Sequence, residues 1–393
     1  MNLRWANGTH EILSPAEMNV DETLAATPQI IYLTLNQFLL LFWEFRLQLL
    51  LWKYVSPVLI FLGTVLNGLT VIVLLRRKFG KSSTRMLLIV LALADTAVLW
   101  TGLLRQWVKS LFELDLRCLM PVSCPVHTFS TYLFLHFASW LVALLTLERW
   151  ISVTFPLKAR VICTRKWTSV VLVILFLFLF ALNSHILFFT KIKQIDNKLS
   201  CTHSTEVYGD FWKRVWYWFD LLSYSCLPFL AIAFCNWSIL YKVIRGQIKR
   251  NKLQNPGGNK NGHSRQLTSM TYMLTTVSIM FILLTLPASI FFIIQDHVEI
   301  ITWQQNVELR LIYAITNLLG YVNNTINFLL YCVSGTQFRR EVFRMICGMR
   351  SFKTKLYDTA RLRVSPTKSA HFVSLGGLRG AWPWPTCKKP YSY

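Results

Sequence analysis

Leu144-Leu145-Thr146-Leu147-Glu148-Arg149-Trp150 is the point where an apolar helix runs out and a basic loop begins. A guanidinium at the edge of a membrane span is costly unless it has a partner or a task. The apolar run that ends there begins near Pro121 and is the third of seven long enough to cross a bilayer. The others lie near Tyr54–Leu75, Met86–Leu104, Trp167–Phe189, Val215–Tyr241, Leu267–Ile294 and Val307–Val333. The sequence therefore predicts an all-α membrane protein, a bundle of seven transmembrane helices. Composition agrees: 54% of residues are hydrophobic and only 15% charged, where soluble domains carry roughly 25%.

Lysine and arginine set the expected orientation. Of 41 such residues, 28 fall in the pieces Arg76–Arg85, Phe155–Lys166, Lys242–Gln266 and Ser334–Tyr393. Those pieces hold only two acids, Glu341 and Asp358. They are read as cytoplasmic, which puts the N-terminus outside. The net charge of +23 is then accounted for by topology and attraction to anionic lipid of the bilayer, and nucleic acid is not needed as a partner. The organisation follows. Residues 1–53 form an extracellular N-terminal segment, 54–333 the bundle, 334–348 a short membrane-parallel helix, and 349–393 a disordered cytoplasmic tail. Within the first segment, Ile30–Trp52 is apolar but carries Glu44 and Arg46. It reads as an interfacial amphipathic helix, as an extension of the first span, or as a partly disordered arm.

Asn7-Gly8-Thr9 is a glycosylation sequon on the outer side, so Asn7 is the expected acceptor. The matches at Asn236 and Asn323 lie inside spans, out of reach of glycosyl transfer. Of nine cysteines, Cys118, Cys124 and Cys201 face the oxidising side. Three is odd, so one is left over or pairs elsewhere.

Several spaced motifs, from Tyr54 to Cys347, resemble the rhodopsin-like G protein-coupled receptors. The first span carries Gly63-Thr64-Val65-Leu66-Asn67 and the second Leu91-Ala92-Leu93-Ala94-Asp95. Glu148-Arg149-Trp150 stands where Asp/Glu-Arg-Tyr is expected, with Pro156 in the following loop. Pro228 and Pro287 fit the fifth- and sixth-span prolines, and Asn327-Phe328-Leu329-Leu330-Tyr331 the Asn-Pro-x-x-Tyr position. Their order and spacing carry the resemblance; no single motif does. The chain also departs from the pattern. Phe328 replaces a proline, Thr285 stands where a tryptophan is usual, Asn236 replaces a tyrosine, the mid-helix tryptophan of the fourth span is missing, and Leu267 replaces an acid that locks the arginine in some members.

The resemblance implies roles for particular residues. Asn67, Asp95, Glu148, Arg149, Pro287, Asn327 and Tyr331 form the activation switch, with Glu148 holding Arg149 inward until helices move. Asp95 implies a sodium ion, with Asn323 and Asn327 completing an oxygen shell, although Ala138 stands where a serine is often used. A water-bridged network among Asn67, Asp95 and Asn327 is the alternative. Cys124, 25 residues before Arg149, is at the family's disulfide position, which implies Cys124–Cys201. Cys347, after the basic stretch Phe338–Ile346, is the expected palmitoylation site.

The ligand pocket is expected among Arg105, His127, Thr131, Tyr132, Asp220, Phe292, Gln295, Tyr313, Asn317 and Tyr321. Both charge signs among aromatics suit a peptide. Thr131 stands where amine receptors place an aspartate, and Tyr321 where opsins carry a lysine, which argues against a monoamine ligand and excludes retinal. Arg105 is the expected partner of Asp220 in the empty receptor. Thr190–Lys213 alternates apolar and polar residues and is expected to form a hairpin over the pocket. The expected partners are a peptide ligand, a heterotrimeric G protein, and an arrestin and receptor kinase acting on Ser351, Thr354, Thr359, Ser365, Thr367, Ser369 and Ser374 of the tail. The resemblance is closest to invertebrate neuropeptide receptors of the FMRFamide or thyrotropin-releasing-hormone type, at the plasma membrane. A small-molecule or odorant chemoreceptor is the runner-up. A transporter or channel would need a polar path or internal repeats. An enzyme would need a catalytic cluster, and His136, His185 and Asp95 are scattered along the chain.

Overall fold

A computed structural model describes residues 39–76, 82–195, 198–253, 262–295, 302–335 and 338–347. Asn7 and the tail serines and threonines lie outside these. Among the described residues, six helices are long and apolar enough to cross a membrane. We label them α1 (Trp43–Leu75), α2 (Ser83–Phe112), α3 (Ser123–Thr154), α4 (Arg165–Phe189), α5 (Glu206–Gly246) and α6, whose apolar part is Leu274–Gln295 and whose backbone starts at Gly262. A seventh, α7 (Trp303–Ser334), is 32 residues long. Its length suffices to span. It is less apolar because Asn323, Asn324 and Asn327 point into the bundle, where all three are buried.

Local sequence accounts for the helix starts. Ser82 and Thr164 accept from the backbone N–H three residues on, at α2 and α4. Thr302 and Gln305 form a reciprocal capping box at α7. The start of α1 falls at Trp43, inside the stretch Ile30–Trp52 for which an extension of the first span is one reading. Helix runs from Trp43 through a π-helical turn at Leu51–Val55 into Ser56–Leu75. Glu44, which argues against a span in the sequence, is buried and accepts from Gln304 Nε2 of α7 at 2.7 Å. Residues 338–347 form a further helix, with Phe338 packed on Phe328 and Tyr331. Cys347, the expected acylation site, stands at its end.

One apolar core joins α2, α3, α5, α6 and α7 around Leu91, Leu141, Val142, Phe281 and Tyr331. Close approach needs Gly63: a Cβ there would sit 2.3 Å from Leu99 Cδ1 and 3.0 Å from Thr325 Oγ1. Thr190–Ile195 (β1) and Lys198–His203 (β2) form the expected hairpin, with Thr190 opposite His203 and Ile192 opposite Cys201. The Cys124–Cys201 bridge ties it to the start of α3.

Candidate functional site

A cavity of about 210 Å³ opens near the hairpin end of the bundle, between α2, α3, α5, α6 and α7. Of the residues expected around a ligand, Arg105, Thr131, Tyr132, Asp220, Phe292, Tyr313, Asn317 and Tyr321 line it. His127 and Gln295 are not among the lining residues. The Thr131 hydroxyl donates to the His127 carbonyl one turn back, and Asn317 Nδ2 donates to the Tyr313 carbonyl. Further lining residues, His136, Tyr217 and Tyr224 among them, were missed by the sequence reading. A helical signal for two of them was present: His136 follows Tyr132, and Tyr224 follows Asp220, by four residues, which places each pair on one face.

The charged pairings differ from expectation. Arg105 does not reach across to Asp220. Its Nη1 lies 3.8 Å from Asp115, in the loop after α2, and Asp115 also takes a hydrogen bond from Arg117 Nη2 at 2.8 Å. Burial alone would raise the Asp115 carboxyl, but Arg117, with Arg105 behind it, overrides this and holds it well below the usual carboxylate range. Asp220 instead faces His136, with Oδ1 3.3 Å from Nε2. Chain order hides this pairing, because it depends on how α3 and α5 sit side by side.

That register is fixed by an irregularity in α5. Leu222–Cys226 is a π-helical turn, and such turns loosen the backbone hydrogen-bond ladder. Ser139 Oγ and Trp140 Nε1 of α3 donate to the carbonyls of Tyr224 and Ser223, at 2.7 and 3.0 Å. Ser225 and Ser289 join α5 to α6 at 2.6 Å, and Tyr217 Oη donates to the Phe292 carbonyl. Above the cavity, Trp212, Trp216, Tyr208, His185 and His203 pack ring on ring. Burial, with Lys213 and Lys193 nearby, pushes the His203 imidazole down to about 4, so it is neutral at pH 7.

Gly102 forms the α2 wall. A Cβ there would lie 2.6 Å from Tyr321 Oη. Gly102→Val is therefore expected to displace Tyr321 and to destabilise the protein by about 1–3 kcal/mol through overpacking. Thermal unfolding of the purified protein checks this; an unchanged midpoint would show that Tyr321 moves freely.

Deeper in the bundle, Asn327 Nδ2 donates to Asp95 Oδ2 at 2.7 Å, and Asn67 Nδ2 to the Asn324 carbonyl at 3.0 Å. The amide oxygens of Asn67 and Asn327 are buried without a hydrogen-bond partner, and Asn323 and Tyr331 of α7 are also buried. An orphaned oxygen on Asn327, the residue bonded to a buried carboxylate, fits a hard cation or a bridging water. At the far end, Glu148 and Arg149 are linked through α2. Ser83 and Thr84 hydroxyls both donate to Glu148 Oε1 at 2.7 Å, and Arg149 Nη2 donates to Thr84 Oγ1. Thr84 thus stands between the two charges. Thr146 and Ser278 join α3 to α6 at 2.7 Å a turn away.

A helix bundle with a disulfide-capped cavity holding Asp220 and Arg105 at one end and an acid-arginine relay at the other has the architecture of a transmembrane receptor. Residues 66–331 match the 7 transmembrane receptor (rhodopsin family), and the chain belongs to that family: it is a multi-pass receptor of the plasma membrane, not an enzyme. It is 26% identical to the FMRFamide receptor of Drosophila melanogaster over 310 residues, covering 72% of this chain and 51% of that protein. The chain thus spans about half the length of that relative. It is also 26% identical to the thyrotropin-releasing hormone receptor of Gallus gallus over 348 residues, covering 80% and 83% of the two chains. The Homo sapiens thyrotropin-releasing hormone receptor is 22% identical over 315 residues, covering 75% and 77%.

Proposed function

We propose that this chain is a neuropeptide receptor that couples ligand binding at the hairpin end to a heterotrimeric G protein at the Arg149 end. The observation that carries this is the cavity itself, which presents Asp220 and Arg105 among Tyr132, Phe292, Tyr313 and Tyr321 beneath a tethered hairpin. A peptide offers groups for both charges. The volume is below the roughly 300–1,000 Å³ of drug-sized sites. The cavity therefore receives a terminal residue with a basic group, and the rest of the peptide lies across the hairpin. The relatives point the same way, one named for FMRFamide and others for thyrotropin-releasing hormone. A small-molecule chemoreceptor is the second reading, favoured by the cavity's small size.

In this proposal the basic loops put the hairpin end outside and the Arg149 end in the cytosol. Asp95, with the amide oxygens of Asn67 and Asn327, would hold a sodium ion that favours the resting state, and Asn323 lies beside them. The helix over residues 338–347 lies along the membrane, and the tail is the substrate of a receptor kinase and then binds arrestin.

The test is calcium mobilisation in transfected cells, using a peptide panel that includes FMRFamide and thyrotropin-releasing hormone beside a panel of odorants. A peptide agonist is expected. Asp220→Asn should then weaken it by about 1–3 kcal/mol, the scale of one charged hydrogen bond. An analogue lacking the basic side chain should lose nothing further. Equal loss for parent and neutral analogue would make Asp220 structural, and a response to odorants alone would move the assignment to the second reading.

A further inference from the structure

The contact between α3 and α5 at the cavity goes beyond the anchoring role given to Asp220, and it rests on that role. His136 is wholly buried. Its Nδ1 lies 2.8 Å from the carbonyl oxygen of Tyr132, one turn earlier. A carbonyl only accepts, so Nδ1 carries a hydrogen. A neutral imidazole has one N–H, which leaves Nε2 as a bare lone pair. Yet Nε2 faces Asp220 Oδ1 at 3.3 Å, and no other group serves it. Two lone pairs repel each other at that separation, and Nε2 is buried where no other donor reaches it. One proton between them removes the conflict, whether it resides on the ring or on the carboxyl.

We infer that the His136–Asp220 pair holds one proton in the ligand-free receptor, and that a ligand's cationic group seating on Asp220 displaces it. The surroundings leave this pair as the titrating element of the cavity. Around it α3 presents Tyr132, α5 presents Tyr217 and Tyr224, α2 presents Arg105, and α7 presents Tyr313 and Tyr321. From α6 come Thr285, Ala288 and Phe292, none of which titrates, and α4 contributes His185, whose ring lies 4.1 Å from that of Trp216. Phenols and guanidinium ionise far from neutral pH. Arg105 is turned to Asp115.

With the proton present, the pair carries no net charge. A second cation arriving at the carboxylate would put two positive groups on one acid in a poorly solvated cavity. The imidazole is the weaker holder. It returns its proton to water, keeps its Nδ1–H on the Tyr132 carbonyl, and offers Nε2 as an acceptor. Binding of a basic group therefore releases one proton. By linkage, such binding tightens up to about tenfold per pH unit while the empty pair stays protonated. An uncharged ligand leaves the proton in place and shows no such slope. His136 thus makes the cavity selective for cations strong enough to expel a proton.

The experiment uses the full chain in lipid nanodiscs, labelled with nitrogen-15 at histidine, with His136→Gln identifying the signal. The probes are N-acetyl-L-argininamide and its uncharged isostere N-acetyl-L-citrullinamide. In the free wild type at pH 7, His136 Nε2 is expected to carry or share a proton. Adding the argininamide should convert His136 to the neutral Nδ1–H form, the citrullinamide should not, and argininamide binding should tighten about tenfold from pH 6 to 7. A bare Nε2 in the free wild type, with Asp220 ionised, overturns the proposal without reference to any variant. A flat pH response with Asp220-dependent binding overturns the displacement alone. Argininamide binding that Asp220→Asn leaves unchanged, or no binding at all, overturns the anchoring role of Asp220 and the displacement with it, while the proton in the empty pair is read independently.

Discussion

Arg149→Ala is expected to abolish agonist-driven nucleotide exchange on the G protein while surface level and ligand binding persist. Arg149 is buried at the end of α3 and is held to α2 through Thr84. Its head group is the charge that helix movement would release. The acid-base pair is joined by relay: the Thr84 hydroxyl donates to Glu148 and accepts from Arg149. Thr84→Val should break this relay as effectively as Glu148→Gln weakens it, and both should raise basal signalling. Removing one charged hydrogen bond from the resting state is worth about 1–3 kcal/mol, a 5–150-fold shift between states. Basal and agonist-driven nucleotide exchange at matched expression measure it. If Thr84→Val were silent while Glu148→Gln was active, the two charges would pair directly and the relay would be wrong.

Loss of the hairpin tether should have the second largest effect. Cys124 and Cys201 are bridged across 77 residues of chain, and closing a loop of that length restricts the unfolded ensemble by about 2–4 kcal/mol. Cys201→Ser and Cys124→Ser are each expected to cost that much and to leave little protein at the surface. The bridge also sets the cavity roof, since β2 carries Cys201 and ends at His203, which packs on Tyr208 and Trp212. Cys118 is the control. Its thiol is free and donates to the Leu199 carbonyl at 3.4 Å, so Cys118→Ser should leave stability nearly unchanged. Peptide mapping under non-reducing conditions is the direct check; finding Cys118–Cys201 as the main bridge would reverse the roles of the two cysteines.

Much of this protein is legible along the chain, for a definite reason. A bilayer demands long apolar helices, so runs such as Trp167–Phe189 declare themselves. It also makes polar groups conspicuous, so Asp95, Arg149 and Asp220 stand out as residues that must be used. What the chain does not carry is which polar groups meet. Asp220 pairs with His136 and not with Arg105, because a π-helical turn in α5 sets its register against α3 and Ser139 and Trp140 lock it there. Glu148 and Arg149 are adjacent in sequence, yet Thr84 of another helix joins them. Glu44 shows the same dependence: unfavourable in a span read alone, it accepts a hydrogen bond from Gln304 of α7 in the bundle. Apolar burial is set by each segment's own composition and so is written locally. A hydrogen bond between helices depends on rotation and register to within an ångström, which only the packed bundle fixes.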